Sequence, residues 1–288
     1  MESGGLSGRA RWRENVARRY LGGRCCAKDA GMEITFLGTG TSQGVPMIGC
    51  DCDVCLSSDP RDNRTRSSIY VKTPEAAWVV DTGPDFRAQC LREKVSWLDA
   101  VVYTHAHTDH VTGFDDLRRF CDARGGTMPI YAAEETLEKL TQMFSFAFDG
   151  TAVFPGYVKP EAHVIDGPFT LGETTLEPLR VTHGRAHVFG YLLSRNGEKR
   201  VAYISDCKTV SPEALEAVRG VPVLIVDALR RREHPTHMSV EEALAFREVV
   251  GAKQTWFTHL CHDLGHAATE AELPDDVRVA FDGLKITV

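Results

Sequence analysis

The segment Thr104-His105-Ala-His107-Thr-Asp109-His110 places three imidazoles and a carboxylate within six residues. It directly follows Ala100-Val-Val-Tyr103, an apolar, β-branched run that predicts a buried strand. Three charged imidazoles at this spacing repel one another. A metal ion removes that repulsion by taking neutral imidazole and carboxylate as ligands. Ligands also need a fixed origin, and the end of a strand supplies one. The chain is therefore expected to fold around a sheet whose strand ends carry a metal centre.

The pattern from Met32 onward fits that expectation. Strands are predicted at Ile34–Leu37, Ser68–Val71, Ala77–Val80, Thr174–Thr182, Phe189–Ser194, Arg200–Ser205, Val221–Val226 and Gln254–Phe257, with Leu284–Val288 closing a sheet. Helical spacing runs over Phe114–Asp122 and Glu134–Phe146. Ser211-Pro212 predicts a helix start, with Ser as cap and Pro at the first helical position. Ser239-Val-Glu-Glu242 is a capping box opening a helix to about Val250. Strands come first in clusters and then alternate with helices, which predicts two sheets layered with helices.

Composition bounds the function. Among 288 residues, 33 Lys+Arg against 40 Asp+Glu give a net charge of −7, and 43% are hydrophobic. A chain of this length builds its own core without disulfides. Nine Cys, an odd number, and no secretory signal pattern point to a reducing, cytoplasmic setting, with thiols free or on metal. No apolar run approaches the roughly 20 residues of a membrane span. Residues 1–31 carry seven basic and three acidic residues, +4, so residues 32–288 carry −11. We expect residues 1–31 to be a basic, unfolded extension holding Cys25 and Cys26, with organellar targeting as the alternative. Residues 32–288 are expected to form the working domain.

The His-x-His-x-Asp-His segment resembles the hallmark of the metallo-β-lactamase superfamily, and the resemblance covers essentially Met32 to Val288. It implies an α/β fold, a four-layer αββα sandwich, with a dinuclear site between the sheets. Val181-Thr-His183-Gly, Tyr203-Ile-Ser-Asp206 and Phe257-Thr-His259 match the family's later ligand positions. The resemblance implies one metal on His105, His107 and His183, a second on Asp109, His110 and His259, and Asp206 bridging them. Asp81, in Val-Val-Asp81-Thr-Gly83, matches the early Asp that supports the metal loop from behind the ligands. His187 competes with His183 for its place; His183 is preferred because it ends the strand, with His187 as a nearby polar wall.

Gly49-Cys50-Asp-Cys52-Asp-Val-Cys55 carries three thiols in a polar loop, at a spacing that suits a tetrahedral structural zinc. The fourth ligand is expected to be His262, near His259, with Cys261 as its rival. This loop, with Phe36-Leu-Gly-Thr-Gly-Thr-Ser42, Arg64-Thr-Arg66-Ser-Ser68 and Pro235-Thr-His237-Met-Ser239, narrows the resemblance. It points to the phosphodiesterase branch that includes the accessory enzyme of the carbon–phosphorus lyase pathway, which hydrolyses phosphoribosyl cyclic phosphate. In that branch the His matching His237 assists proton transfer to the leaving oxygen, a role that imidazole suits.

Other residues carry weaker expectations. Asp85 and Arg87 are expected to approach the substrate, and Arg64 and Arg66 to brace the zinc loop. Cys207 is read as a packed residue at the site, and Cys90 and Cys121 as core. Gly38-x-Gly40 precedes no Rossmann helix and predicts no nucleotide fold. The resulting expectation is a hydrolase with two divalent ions, Zn or Mn, and one structural Zn, acting on a small phosphodiester. A tRNA 3′-processing endonuclease, a thioesterase or lactonase, and a non-catalytic metal-binding protein are the alternatives. Long nucleic acid is disfavoured, because residues 148–178 hold Lys159 as their only Lys or Arg. No membrane partner is expected, and a homodimer is left open.

Overall fold

Strand alternation builds the molecule. In Ala77–Val80, Trp78 and Val80 face one way and Val79 the other; in Ala100–Val102, Ala100 and Val102 face opposite to Val101. One set meets Ile34, Tyr191, Tyr203 and Ile225 between two sheets. The other set packs under helices that carry Phe86, Phe120, Leu137 and Leu140. On the far side of the second sheet, Leu224 and Val226 pack against Ala214, Val218, Val240 and Ala243 of two more helices. The layers therefore run helix, sheet, sheet, helix, as expected. This computed structural model describes residues 31–150 and 156–288, and Met32–Val288 form one unit. Residues 1–30, including Cys25 and Cys26, lie outside the described residues.

The first sheet has the order β15-β1-β2-β3-β4-β5-β6. Its strands are β1 (Glu33–Gly38), β2 (Ser68–Lys72), β3 (Ala77–Val80), β4 (Ala100–Val102), β5 (Met128–Ala132), β6 (Pro160–Val164) and β15 (Lys285–Thr287). The second has the order β11-β8-β9-β10-β12-β13-β14, with β7 paired to β8. Its strands are β7 (Phe169–Leu171), β8 (Thr174–His183), β9 (Ala186–Arg195), β10 (Glu198–Ile204), β11 (Thr209–Val210), β12 (Val223–Asp227), β13 (Gln254–Thr258) and β14 (Val277–Val279). β12 lies parallel between β10 and β13 and is buried throughout, which explains its unbroken apolar run.

The departures from the sequence expectation have local causes. Phe114–Asp122 divides into a 3-10 turn, Phe114–Leu117, and a helix, Arg118–Arg124. Glu134–Phe146 stops at Met143, where Phe144 leaves helical geometry. β6 was not anticipated: it is an edge strand with mostly exposed residues, and an apolar pattern is absent. Ser239 and Glu242 do form the reciprocal capping box at the start of Val240–Val250. Among the described residues no helix is long and apolar enough to cross a membrane.

Candidate metal centres

Five strands deliver polar residues to one place. Asp81 follows β3, His105 follows β4, His183 ends β8, Asp206 follows β10, and His259 follows β13. Asp81, Asp206 and His259 have φ of 66°, 48° and 58°. Such left-handed geometry is rare for non-glycine residues and clusters at functional sites. It turns each chain sharply out of its strand. The loop 105–110 then nests on the turn after Asp81: a Cβ at Gly83 would fall 2.2 Å from the Asp109 carbonyl oxygen, so only glycine fits.

Two groups of donors result. The ligating atoms of His105, His107 and His183 lie within 4.8 Å of one another, as do those of Asp109, His110, Asp206 and His259. The groups adjoin, with the His105 and His110 rings 4.3 Å apart. Asp81 organises both from below. It accepts from the Thr104 N–H, the Thr104 hydroxyl and His110 Nδ1, each at 2.8 Å. The Thr104 hydroxyl thus has its proton committed, and His105 Nδ1 donates to its oxygen at 2.9 Å. His183 Nδ1 donates to the Thr236 carbonyl at 3.0 Å. Each of these imidazoles is left with a lone pair on Nε2, the form that binds metal.

The donor set fits a cation. His105 Nε2, His110 Nε2, His259 Nε2 and Asp206 Oδ2 are buried without a hydrogen-bond partner. Asp206 approaches His259 Nε2 at 3.1 Å and His110 Nε2 at 3.2 Å, close but out of line for hydrogen bonding. Unpaired buried polar atoms are costly, and an ion in each of the two donor groups would satisfy all four. Burial lowers the pKa of His105, His107 and His183 and keeps them neutral. At His110 burial is outweighed by Asp206 and Asp81, which raise it well above the usual value. At His259 burial is likewise outweighed by Asp206, giving about 9. The carboxylates that favour a proton on these two rings would equally favour a divalent ion in its place.

The sequence reading missed Asp227. It is fully buried at the end of β12 and accepts from the Cys207 N–H at 2.9 Å and from His237 Nδ1 at 2.6 Å. His237 stacks on His259 at 4.7 Å, and its ligating nitrogen lies within 4.8 Å of the ligating nitrogen of His183 and a carboxylate oxygen of Asp206. The signal was available: Val-Leu-Ile-Val-Asp227 repeats the apolar-strand-then-Asp pattern of Val-Val-Asp81. His187 is exposed and bonds Glu135 at 2.9 Å and Arg180 at 3.2 Å, so it belongs to neither donor group.

The cysteine loop forms a third group. Gly49, at φ 74°, turns the chain so that Cys50, Cys52 and Cys55 place Sγ at 3.3, 3.4 and 3.7 Å from His262 Nδ1. Cys261 turns elsewhere: its sulfur accepts from the Asp263 N–H at 3.3 Å. The Cys55 N–H helps hold the Cys52 thiol down to about 6, and burial pushes Cys55 up to about 11. Arg64 is buried and donates to the Cys261 and Leu264 carbonyls at 3.0 and 2.5 Å and to Asp62 at 3.0 Å, bracing this loop against the C-terminal one. Asp85 pairs with Arg66 at 3.1 Å, and Arg87 is exposed. Cys207, Cys90 and Cys121 are all packed in the core.

Comparison with known proteins identifies the family and the fold. Residues 78–260 match the family model described as "Beta-lactamase superfamily domain". An octanoyltransferase of Porphyromonas gingivalis is 36% identical over 270 residues, covering 89% of this chain and 52% of that protein. The chain thus spans about half the length of that relative. The crystal structure of a diphosphatase from the PhnP family shares 39% identity with a TM-score of 0.82, covering 89% of this chain and 97% of the other. Zinc-bound PqqB from Methylobacterium extorquens, at 20% identity and TM-score 0.73, shares the fold over 89% of this chain and 100% of that one.

Proposed function

Because this chain belongs to the β-lactamase superfamily, we propose that it is a metal-dependent hydrolase that cleaves small phosphodiesters, cyclic or linear, to monoesters. One observation carries the reading: seven donor residues converge with unsatisfied buried atoms, beside a carboxylate-held imidazole. The likeness to a diphosphatase supports phosphorus chemistry in particular.

His105, His107 and His183 would hold one divalent ion, Asp109, His110 and His259 the other, and Asp206 both. The mixed nitrogen and oxygen donors accept zinc or manganese. Such ions, when bound, lower the pKa of water toward neutrality and neutralise charge on phosphoryl oxygens. The protein's own groups do the rest. Asp81 fixes the His110 ring directly and the His105 ring through Thr104. Asp227 holds the Nδ1 proton of His237, which leaves Nε2 to face the site. In its protonated form His237 donates the Nε2 proton to the departing ester oxygen as the bond from phosphorus to that oxygen breaks and a bond to the water oxygen forms. Cys50, Cys52, Cys55 and His262 would hold a separate zinc with all four positions filled by protein. A closed set of this kind clamps loops and leaves no position for substrate.

A substrate panel at neutral pH, on protein of measured metal content, tests the proposal. Bis(p-nitrophenyl) phosphate, cyclic and linear nucleotide and sugar phosphates, acyl thioesters, lactones and a tRNA precursor are compared by kcat/KM. We expect a small phosphodiester to lead. A thioester or lactone turning over faster than every phosphodiester would instead assign the site to acyl chemistry.

A further inference from the structure

The cysteine cluster adjoins an open cavity of about 480 Å³ lined by Cys52, Asp53, Val54, Arg232, His262 and Asp263. Cys52 is the one cysteine on that wall. Its sulfur lies within 4.8 Å of those of Cys50 and Cys55, and all three residues are half-buried. A structural metal site is ordinarily sealed. Here a thiol ligand borders a cavity that reaches solvent, with a second thiol three residues on in Cys52-Asp-Val-Cys55, a spacing that closes a disulfide readily.

We propose that Cys52 is a peroxide-reactive modification site, which forms a disulfide with Cys55 and thereby releases the metal held by the cluster. The inference rests on the structural-zinc reading above. The Cys52 thiolate attacks one oxygen of hydrogen peroxide, the O–O bond breaks, and Cys52 sulfenic acid forms as hydroxide leaves and takes a proton from solvent to become water. The Cys55 thiolate then attacks that sulfur and expels the hydroxyl as hydroxide, which solvent protonates to a second water. Two thiolates are oxidised to one disulfide, and one peroxide with two solvent protons is reduced to two waters. Two of the four ligands are consumed, which a tetrahedral site does not survive.

The wall selects the oxidant. Asp53 and Asp263 face the cavity, the single cation Arg232 is engaged by Asp263 at 3.2 Å, and Asp51 adjoins Cys52 in sequence. That rim admits a small neutral peroxide and repels an anionic disulfide such as oxidised glutathione. The event also reaches the dinuclear centre. His262 lies three residues beyond His259, and the intervening Leu260 donates its N–H to the Thr39 carbonyl at 2.8 Å. Loss of the His262 anchor leaves the His259 turn held by this contact, by the Cys261 N–H to the Leu229 carbonyl at 3.0 Å and by Arg64.

The test uses the full chain, purified with zinc under reducing conditions and then freed of reductant. Zinc is first counted against the three expected sites. A Cys site without zinc at this stage defeats the structural-zinc reading itself. With the zinc present, one equivalent of hydrogen peroxide is added, released zinc is followed with a chromogenic chelator, and disulfides are mapped by mass spectrometry. We expect one zinc to leave with a loss of 2 Da, a Cys52–Cys55 linkage, a rate at least tenfold above that of oxidised glutathione, and reversal by dithiothreitol with added zinc. Cys261→Ser should behave as wild type. Zinc retained under peroxide, or a first linkage or sulfenic acid at any other cysteine, overturns the inference. So does equal reactivity toward the anionic disulfide.

Discussion

The two kinds of donor cluster are built from opposite materials. The histidine and carboxylate group hangs on strand ends of both sheets, its carboxylates and all but one of its imidazoles are buried or nearly so, and two of its members hold left-handed backbone. The cysteine group is assembled from two loops and is half-buried. The first is placed by the core, which fixes the strand ends that carry it. The second joins two loops whose other brace is Arg64, and a metal there would hold the loops together. Removing a ligand should therefore cost chemistry in the one case and stability in the other.

The largest break in that contrast is expected at Asp206. Asp206→Ala removes the carboxylate shared by both ions and should lower kcat/KM by about 10³-fold or more, with thermal stability measured in parallel to separate catalysis from folding. His237→Ala should lower turnover of alkyl diesters by about 10²-fold. Its effect should shrink for p-nitrophenyl esters, whose leaving group departs without a proton; an equal loss on both would remove His237 from the acid role. Asp81→Asn leaves every ligand in place but weakens the hold on His105 and His110, and should cost about 10–100-fold in metal affinity by competition titration. Cys52→Ser should reverse the pattern. It loses one zinc equivalent and about 2–3 kcal/mol, or roughly 5–10 °C in Tm, while activity falls only several-fold. His187→Ala is the smallest, with no change in metal content and kcat/KM within about twofold, because its ring pairs with Glu135 outside both donor groups.

The sequence displayed the candidate ligands well because His105, Asp206 and His259 each closely follow a strand and His183 ends one, so pattern and chemistry coincide. His105 after Ala100-Val-Val-Tyr and His259 after Thr-Trp-Phe-Thr need no tertiary information to be noticed. Asp227 was hidden for the opposite reason. Its role lies in a contact with His237, ten residues on and across a loop, and a lone strand-end Asp resembles a turn former. The choice of His262 over Cys261 likewise turned on side-chain direction, since adjacent residues after a strand point different ways. β6 was illegible because an edge strand with exposed faces carries no apolar alternation. The layer order was legible because β3, β4 and β12 are unbroken apolar runs, as strands covered on both faces are.

The distribution of donors along the chain has a consequence for how the molecule is made. The first sheet, apart from β15, is complete in sequence by Val164, yet it owns only His105, His107, Asp109 and His110 of the dinuclear set. The partners arrive with His183, Asp206 and finally His259, and the cysteine loop waits until His262. During synthesis the nascent chain therefore presents an incomplete chelator with three histidines and three unsatisfied thiols, and the set is completed only when the second sheet closes. Metal capture would then be coupled to a late long-range step of folding, so the kinetics of zinc uptake during refolding should track second-sheet docking rather than the appearance of secondary structure.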